Sequence, residues 1–561
     1  MQLNLLPALA PELIVGIGAC ILFLMGIGRK PMTRQLTPLV ALLSLAGGMA
    51  WVLAHPVELP YADVFNTLHI SSFTDYFKLL ACVVGVLFVL LSWPTNRDAT
   101  GNSALNFGQE AGEYFGLMLF SICGLMLASS ANDIITLFLA VELASIPTYV
   151  MVSASRPVSA AQEAGVKYFF LGAMAAAIML MGFAYLYGTT GTIYLSEMVQ
   201  VIEQSMARNP SGLVSLTPWQ MLAAVLLITG LSFKLAAVPL HFYAADVYQG
   251  AATPVTAFLS FVPKASGLVA LIKVLDVLGG RAWAAPQQIA TLLAVIAVLT
   301  MTFGNILGLL QQNVKRVMAY SSIAHSGYML VGLAVLFGTN GARDESGLLT
   351  DSSVQDAAMQ GVLFYLAGYG ITNAAAFGVL MLLPSRKPAP ATSAETFDDL
   401  AGTGRAHPVL GLAMAAACFS LIGLPFTVGF WGKAALISPA LQGKHYALVI
   451  FTVINAAISA AYYLRIVAAM FLRTDSAFAV LPVTAGDGAG AVDYRSTGGA
   501  QPPLPQRHPL PILVAIFASA AGSVLLGVLP PLTQNLADRS VDSDGHAIAP
   551  AHEVSFPEAR K

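Results

Sequence analysis

Seven ionisable side chains lie within or beside apolar stretches of this sequence and could form one line of proton carriers. They are Glu142, Lys167, Lys234, His241, Lys264, His325 and Lys433. Burial lowers the pKa of a lysine and raises that of a carboxylic acid, whereas ion pairing reverses both shifts. A Glu–Lys pair that opens and closes can therefore capture and release a proton, and histidines that titrate near neutrality can connect the steps through water. The structural alternative is that these charges pair with one another and only hold the helices together.

Other charged residues near apolar stretches have a simpler interpretation. Lys78, Lys273 and Arg465 lie nearer the ends of their stretches, so we expect their side chains to extend to the membrane surface. We expect Asp133 and Asp246 to cap helices or to contact loops. A metal site is not expected, since neither candidate histidine has a second ligand three or four residues away.

The composition is that of a polytopic membrane protein. Of 561 residues, 57% are hydrophobic and 10% charged, against about a quarter charged in soluble domains. The net charge of -2 gives no reason to expect a nucleic-acid partner. The four cysteines are far apart, and no phosphate-binding glycine motif occurs. We therefore expect an all-α membrane protein that binds no cofactor itself.

About fourteen apolar stretches are long enough to span a bilayer. They are residues 11–28, 36–54, 73–93, 114–130, 132–153, 164–188, 217–239, 252–278, 288–311, 314–338, 357–384, 407–437, 444–473 and 509–532. Pro239 in the seventh stretch, and Pro425 between Gly423 and Gly429 in the twelfth, predict two broken helices. Lysine and arginine are more numerous in the loops on one side. This bias predicts both termini on the outer side of a bacterial-type inner membrane.

An internal repeat relates the two predicted breaks. GVKYFFLG (165–172) matches GVLFYLAG (361–368), and FKLAAVP (233–239) matches FSLIGLP (419–425). Each repeat would contain five helices, so the second must be inverted relative to the first, as in secondary transporters. The predicted parts are three N-terminal helices in 1–113, the first repeat in 114–278, the second in 279–473, a flexible loop in 474–508, the last helix in 509–532 and a polar tail in 533–561.

Five stretches resemble a known family. They are VELASIPTYVMV (141–152), EAGVKYFFLGA (163–173), the run from FKLAAVPLHF to SFVPKASGLVAL (233–271), NVKRVMAYSSIAHSGYML (313–330) and GLPFTVGFWGK (423–433). The sequence resembles the subunit N family, the antiporter-like membrane subunits of the proton-pumping NADH:quinone oxidoreductase, respiratory complex I. The resemblance places Glu142, Lys167, Lys234, Lys264 and Lys433 on the family's glutamate of helix five and its lysines of helices six, seven, eight and twelve.

Two residues depart from the family pattern. Pro263 stands before Lys264, where the family often has serine, and is expected to kink the eighth helix. Ala245 stands before Asp246, where the family usually has proline.

The resemblance implies a translocase subunit without a redox centre, which couples quinone reduction elsewhere in the complex to proton transfer across the membrane. NAD, FMN, iron–sulfur clusters and quinone are expected in partner subunits, and the partners include the sister antiporter-like subunits. The electron donor is left open among NADH, ferredoxin and a deazaflavin. A subunit of a multi-subunit sodium/proton antiporter is the alternative, because it shares the broken-helix scaffold. A stand-alone solute transporter and a purely structural membrane subunit are less favoured.

Overall fold

The chain folds into α-helices throughout the part that the structure describes. The computed structural model describes residues 7, 9–28, 31–55, 67–93, 111–156, 158–207, 216–279, 286–339, 353–383, 394–473 and 509–529. The helices are α1 (Ala10–Gly26), α2 (Pro31–Ala54), α3 (Ser72–Leu91), α4 (Ala111–Ser130), α5 (Ile134–Ala154), α6 (Ser159–Thr190), α7 (Leu195–Ala207), α8 (Pro218–Leu235), α9 (Tyr243–Gly250), α10 (Thr253–Leu259), α11 (Val262–Gly279), α12 (Gln287–Leu309), α13 (Val314–Gly338), α14 (Ser353–Leu382), α15 (Phe397–Leu400), α16 (Thr403–Ala406), α17 (Pro408–Ile422), α18 (Val428–Gln442), α19 (Tyr446–Phe471) and α20 (Leu510–Val528).

The predicted spans coincide with apolar helices. Among the described residues, twelve helices are long and apolar enough to cross a membrane, or thirteen if a pair bent by 120° counts as one span. The first predicted span corresponds to α1, which has 17 residues, and the twelfth to α17 together with α18. The predicted loop 474–508 and tail 533–561 lie outside the described residues. The division into repeats stays a prediction.

The centre of the bundle is formed by α10, α11 and α13. The span Thr253–Gly279 is buried along its whole length, and 94% of Val314–Gly338 is buried. The expected kink at Pro263 corresponds to an interruption between α10 and α11 at residues 260–261. Side chains on these helices are enclosed by protein, so charged groups there must find partners within the chain.

The first predicted break is confirmed, although the helix ends before the proline. Ala236 has a left-handed conformation with φ 54° and follows the last residue of α8, and helix resumes only at Tyr243. Lys234 therefore lies in the last turn of α8. The interrupted backbone is bonded to neighbouring helices: the amide of Val238 donates to Thr300 Oγ1 at 3.0 Å. Such a break at membrane depth is tolerated because protein surrounds it.

The second predicted break is confirmed as well. Gly423, with φ 88°, ends α17, and α18 begins at Val428. The interruption, residues 423–427, contains Pro425. Both broken helices thus end on a residue in the left-handed region, and both prolines follow within the interruption.

Close contact across the second break requires glycine at position 429. A Cβ atom on Gly429 would lie 1.8 Å from the carbonyl oxygen of Ser420. We therefore expect Gly429→Ala to destabilise the protein by about 1–3 kcal/mol, because overpacking forces the backbone to move. The measurement is the thermal unfolding midpoint of the purified protein in detergent. Gly188→Ala is the matched control, since nothing lies within 4 Å of its added Cβ; equal midpoints for the two variants would contradict the prediction.

Candidate proton-transfer site

A buried ion pair joins α5 to the end of α8. Lys234 Nζ lies 2.8 Å from Glu142 Oε1, and the two side chains are 1% and 14% exposed. Lys234 also donates to Ser145 Oγ at 2.9 Å and to the Tyr149 hydroxyl at 3.2 Å. These three acceptors use all three donors of the ammonium. Glu142 and Lys234 therefore form a buried Glu–Lys pair, and its lysine is fully hydrogen-bonded.

Asp133 has the capping role that was expected. Its side chain accepts hydrogen bonds from the amides of Ile135 and Thr136 at the start of α5. The cap satisfies two of the backbone donors that a helix N-terminus leaves free. It thereby stabilises the start of the helix that carries Glu142.

Lys264 lies on α11 and is held by neutral oxygens. Its Nζ donates to the carbonyl oxygen of Ser322 at 2.5 Å and to Ser322 Oγ at 2.7 Å. Tyr369 donates to the same hydroxyl at 2.8 Å, and Lys264 Nζ lies 5.2 Å from the centre of the Tyr369 ring. No ion pair with Lys264 occurs among the described residues. Lys264 therefore differs from Lys234, which faces a carboxylate.

Lys264 lies close to the Glu142–Lys234 pair because α8 and α11 pack tightly. A Cβ on Gly267, about one turn after Lys264, would lie 2.6 Å from Lys234 Cβ. Helix α13 contacts both places: Ser322 binds Lys264, and Ser326, one turn later, donates to the carbonyl oxygen of Leu235 at 2.5 Å. Two serines of α13, Ser322 and Ser326, therefore contact Lys264 and the end of the helix that carries Lys234.

His325 lies on α13 between Ser322 and Ser326. Its Nδ1 lies 2.6 Å from the Tyr365 hydroxyl and its Nε2 lies 3.1 Å from the Tyr463 hydroxyl. Its ring centre is 4.9 Å from that of Tyr369, the residue that also contacts Lys264. Both ring nitrogens thus have a hydroxyl partner, which is the arrangement that a histidine needs to accept a proton on one side and donate on the other.

Lys433 lies on α18 and binds the end of the preceding helix. Its Nζ donates to the carbonyl oxygens of Leu421 at 3.1 Å and Ile422 at 2.7 Å. Carbonyls in the last turn of a helix have no partner within the helix and carry partial negative charge, so they attract a cation. Lys433 Nζ also lies 4.9 Å from the centre of the Tyr328 ring, and that ring lies 5.7 Å from His325.

A small cavity separates the histidine from the second break. Its volume is about 10 Å³, and its lining includes His325, Tyr365, Ser420 and Gly429. That volume admits about one water molecule. The cavity supplies a position through which a proton can pass between His325 and the segment that Lys433 contacts.

Lys167 and His241 lie apart from this buried line. Lys167 is 44% exposed and pairs with Glu163 at 2.7 Å and Asp246 at 3.0 Å. Asp246 also accepts from Arg316 at 2.7 Å, which fits its expected role in local contacts. His241 lies in the interruption after α8, and its Nδ1 is buried without a hydrogen-bond partner among the described residues. The structure therefore joins five of the seven candidates and leaves these two outside.

Two lysines contradict the expectation that they extend to the surface. Lys78 is 2% exposed and pairs with Glu12 at 2.8 Å, and Lys273 is fully buried and donates to the carbonyl oxygen of Ala131 at 2.7 Å. The expectation considered only the position of each lysine along its own helix, whereas neighbouring helices enclose both side chains. Arg465 donates to the carbonyl oxygen of Gln311, two residues after the end of α12, and its extension to the membrane surface stays a prediction.

Sequence reasoning did not single out the serine and tyrosine partners of the line. One signal was available in SSIAHSGY (321–328), because Ser322, His325 and Ser326 are three and four residues apart and share one helix face. The tyrosines of α14 and α19 gave no comparable signal, since aromatic residues in apolar helices are usually packing residues.

Comparison with known proteins identifies the family to which the chain belongs. Residues 131–459 match the family described as NADH:quinone oxidoreductase/Mrp antiporter, transmembrane region. NADH-quinone oxidoreductase subunit N of Myxococcus xanthus is 34% identical over 532 residues, covering 93% of this chain and 94% of the relative. In the structure of respiratory complex I from Thermus thermophilus with bound aureothin, a chain matches with TM-score 0.69 and 28% identity, covering 94% and 99%. In the Mrp complex from Dietzia sp., one chain matches with TM-score 0.72 over 96% and 97%, but at 20% identity, which shows a shared fold alone.

Proposed function

Because this chain belongs to the NADH:quinone oxidoreductase/Mrp antiporter membrane family, we propose that it serves as the proton-translocating subunit N of an NADH:quinone oxidoreductase. The chain is an integral membrane protein. Relatives named as subunit N match it over nearly its whole length, whereas its likeness to the Mrp complex is one of fold. Redox chemistry with NAD, FMN, iron–sulfur clusters and quinone belongs to partner subunits in this proposal. The membrane is a bacterial-type inner membrane with both termini outside, as the lysine and arginine bias favours.

The observation that carries the mechanism is the buried Glu142–Lys234 pair at the end of an interrupted helix. In the closed pair the carboxylate stabilises the ammonium. A charge change in a neighbouring subunit alters the attraction between the two groups, because electrostatic interactions are weakly screened in a buried site. When the pair opens, Lys234 loses its main electrostatic partner and its proton becomes available for transfer.

The acceptors are Lys264 on α11, His325 on α13 and Lys433 on α18. Transfer from Lys234 to Lys264 converts the first ammonium to an amine and the second amine to an ammonium, so one proton moves and no other bond changes. Ser322 accepts a hydrogen bond from Lys264, and Tyr369 donates to the same Ser322 hydroxyl. From there the proton passes by way of His325 and the adjacent cavity toward Lys433. Each step moves one proton, and the group that accepts it becomes the donor of the next step.

Glu142→Gln tests the proposal directly. Removing one member of a buried ion pair costs about 3–5 kcal/mol, and each 1.4 kcal/mol is about tenfold in an equilibrium. The variant therefore leaves the Lys234 ammonium without the carboxylate that stabilises it, and the closed pair cannot form. We expect fewer protons translocated per NADH oxidised with quinone, and unchanged NADH oxidation with an artificial acceptor, in the complex purified through a tag on this chain.

Asp398→Asn is the matched control for Glu142→Gln. Asp398 also pairs with a cation, Arg473, at 2.9 Å, but the two side chains are 82% and 56% exposed. Exposed pairs contribute little to stability, so this variant should translocate protons as the unmodified complex does. A normal rate of proton translocation by Glu142→Gln would contradict the mechanism. Purification with sodium-transporting partners that contain no iron would instead support the antiporter alternative.

A further inference from the structure

We propose that Glu12 and Lys78 form a second proton-exchange pair, located between the central lysines and the membrane face at which α1 and α3 begin. Lys78 Nζ lies 2.8 Å from Glu12 Oε1, and the side chains are 2% and 5% exposed. Both residues precede the family match, which begins at residue 131. They are also outside the two predicted repeats. The inference goes beyond the proposed line of carriers and rests on the proposed function.

One oxygen of this carboxylate is an open position for a proton. Ser130 donates to Glu12 Oε1 at 3.0 Å, whereas Glu12 Oε2 is buried and has no hydrogen-bond partner among the described residues. A buried polar atom left without a partner costs free energy. A water molecule bound at Oε2 removes that cost and can deliver a proton to the carboxylate.

Helix α4 connects this pair to the central one. Ser121 Oγ donates to the carbonyl oxygen of Ala144 at 2.5 Å, and the next residue, Ser145, binds Lys234. Nine residues later on α4, Ser130 binds Glu12. Nine residues rise about 14 Å along a helix, which is the separation along α4 of its contacts with the two pairs.

Helix α11 makes the same connection. Lys264 lies on it, and nine residues later Lys273 donates to the carbonyl oxygen of Ala131, adjacent to Ser130. Helix α11 thus reaches the residue next to Ser130, which binds Glu12. Lys273, which was expected at the surface, lies at this contact.

One proton moves between the two members of this pair. Transfer of one proton from the Lys78 ammonium to Oε1 of Glu12, the oxygen that it contacts, gives a neutral amine and a neutral carboxylic acid, and the reverse step restores the ions. Two thiols face the pair: Cys123 Sγ lies 3.5 Å from the carbonyl oxygen of Glu12, and Cys82 lies one turn after Lys78 on the same helix. Neither thiol adds a formal charge that would fix the pair in one state.

The decisive variant replaces both charges at once. Buried ion pairs that only support structure can usually be exchanged for apolar residues of similar size without loss of stability. We therefore expect Glu12→Leu/Lys78→Met to assemble into the complex and to oxidise NADH normally with an artificial acceptor, but to translocate fewer protons per NADH. Normal translocation by the assembled double variant would assign the pair to structure alone and overturn the proposal.

Lys78→Arg provides a second test if the double variant does not assemble. Arginine keeps the positive charge beside Glu12 but does not release a proton. Fewer protons per NADH in this variant supports the proposal, and a normal value contradicts it. Cys82→Ala, on the same helix and equally buried, is the control and should behave as the unmodified protein.

Parallel measurement of Glu142→Gln separates this inference from the proposed function. If Glu142→Gln loses translocation while Glu12→Leu/Lys78→Met retains it, only the second pair is wrong. If both retain it, the proposed function of the chain fails as well.

Discussion

Lys234→Arg is expected to stop proton translocation through this chain while leaving the complex assembled. The guanidinium keeps a positive charge beside Glu142 and can donate to Ser145 and Tyr149, the neutral partners of the lysine. It remains protonated under all physiological conditions, so it cannot pass a proton on. A group that transfers protons typically contributes about 10²–10⁴-fold to a rate. The translocation rate through this chain should fall by roughly that factor.

Comparison with Lys234→Ala separates charge from proton exchange. The alanine variant leaves Glu142 buried without its cation, which costs about 3–5 kcal/mol. We therefore expect it to lower both translocation and the amount of assembled complex, whereas arginine lowers translocation alone. The measurements are proton uptake or release per NADH in reconstituted vesicles and the yield of complex after purification.

Lys444→Arg is the control for the arginine variant. Lys444 is exposed and lies between α18 and α19, so the same change of side chain there should have no effect on translocation. If Lys234→Arg translocates at the normal rate, Lys234 provides charge but does not exchange its proton. The proposed order of transfer would then be wrong at its first step.

The spans and the two breaks were predictable because their causes are local. Long apolar stretches become helices wherever the backbone must bond to itself in lipid. Pro239 and Pro425 remove a backbone donor and cannot continue a helix, and both predicted interruptions are present. Glu142, Lys234, Lys264 and Lys433 could be selected for a related reason. A charge in the middle of an apolar stretch is costly, and that cost can be judged from the stretch alone.

Contacts between distant helices were not predictable in the same way. Whether a lysine reaches the surface depends on which helix packs beside it, and Glu12 of α1 reaches Lys78 of α3 only in the folded bundle. Lys167 shows the opposite case, because its place on α6 puts it on an exposed face with Glu163 and Asp246. Spacing along the chain indicates the face of a helix but not the neighbour that this face meets.

The hydrogen-bond partners of Lys433 differ most clearly from those of Lys234. Its ammonium is bound by two backbone carbonyls at the end of α17, and no ion pair with it occurs among the described residues. A neutral amine at this position can receive a proton from the side of His325. When it releases that proton, no carboxylate remains unpaired beside it. A fixed positive charge would instead only stabilise the partial negative charge of the helix end.

Lys433→Gln and Lys433→Arg distinguish these two roles. Glutamine keeps N–H donors for the carbonyls of Leu421 and Ile422 but has no proton to exchange, and arginine keeps both donors and charge. If Lys433 relays protons, both variants assemble and both lose translocation by roughly 10²–10⁴-fold. If its role is electrostatic, arginine translocates normally and only glutamine fails. Because the two hypotheses differ in the arginine variant alone, the rate of proton translocation by the assembled Lys433→Arg complex decides between them.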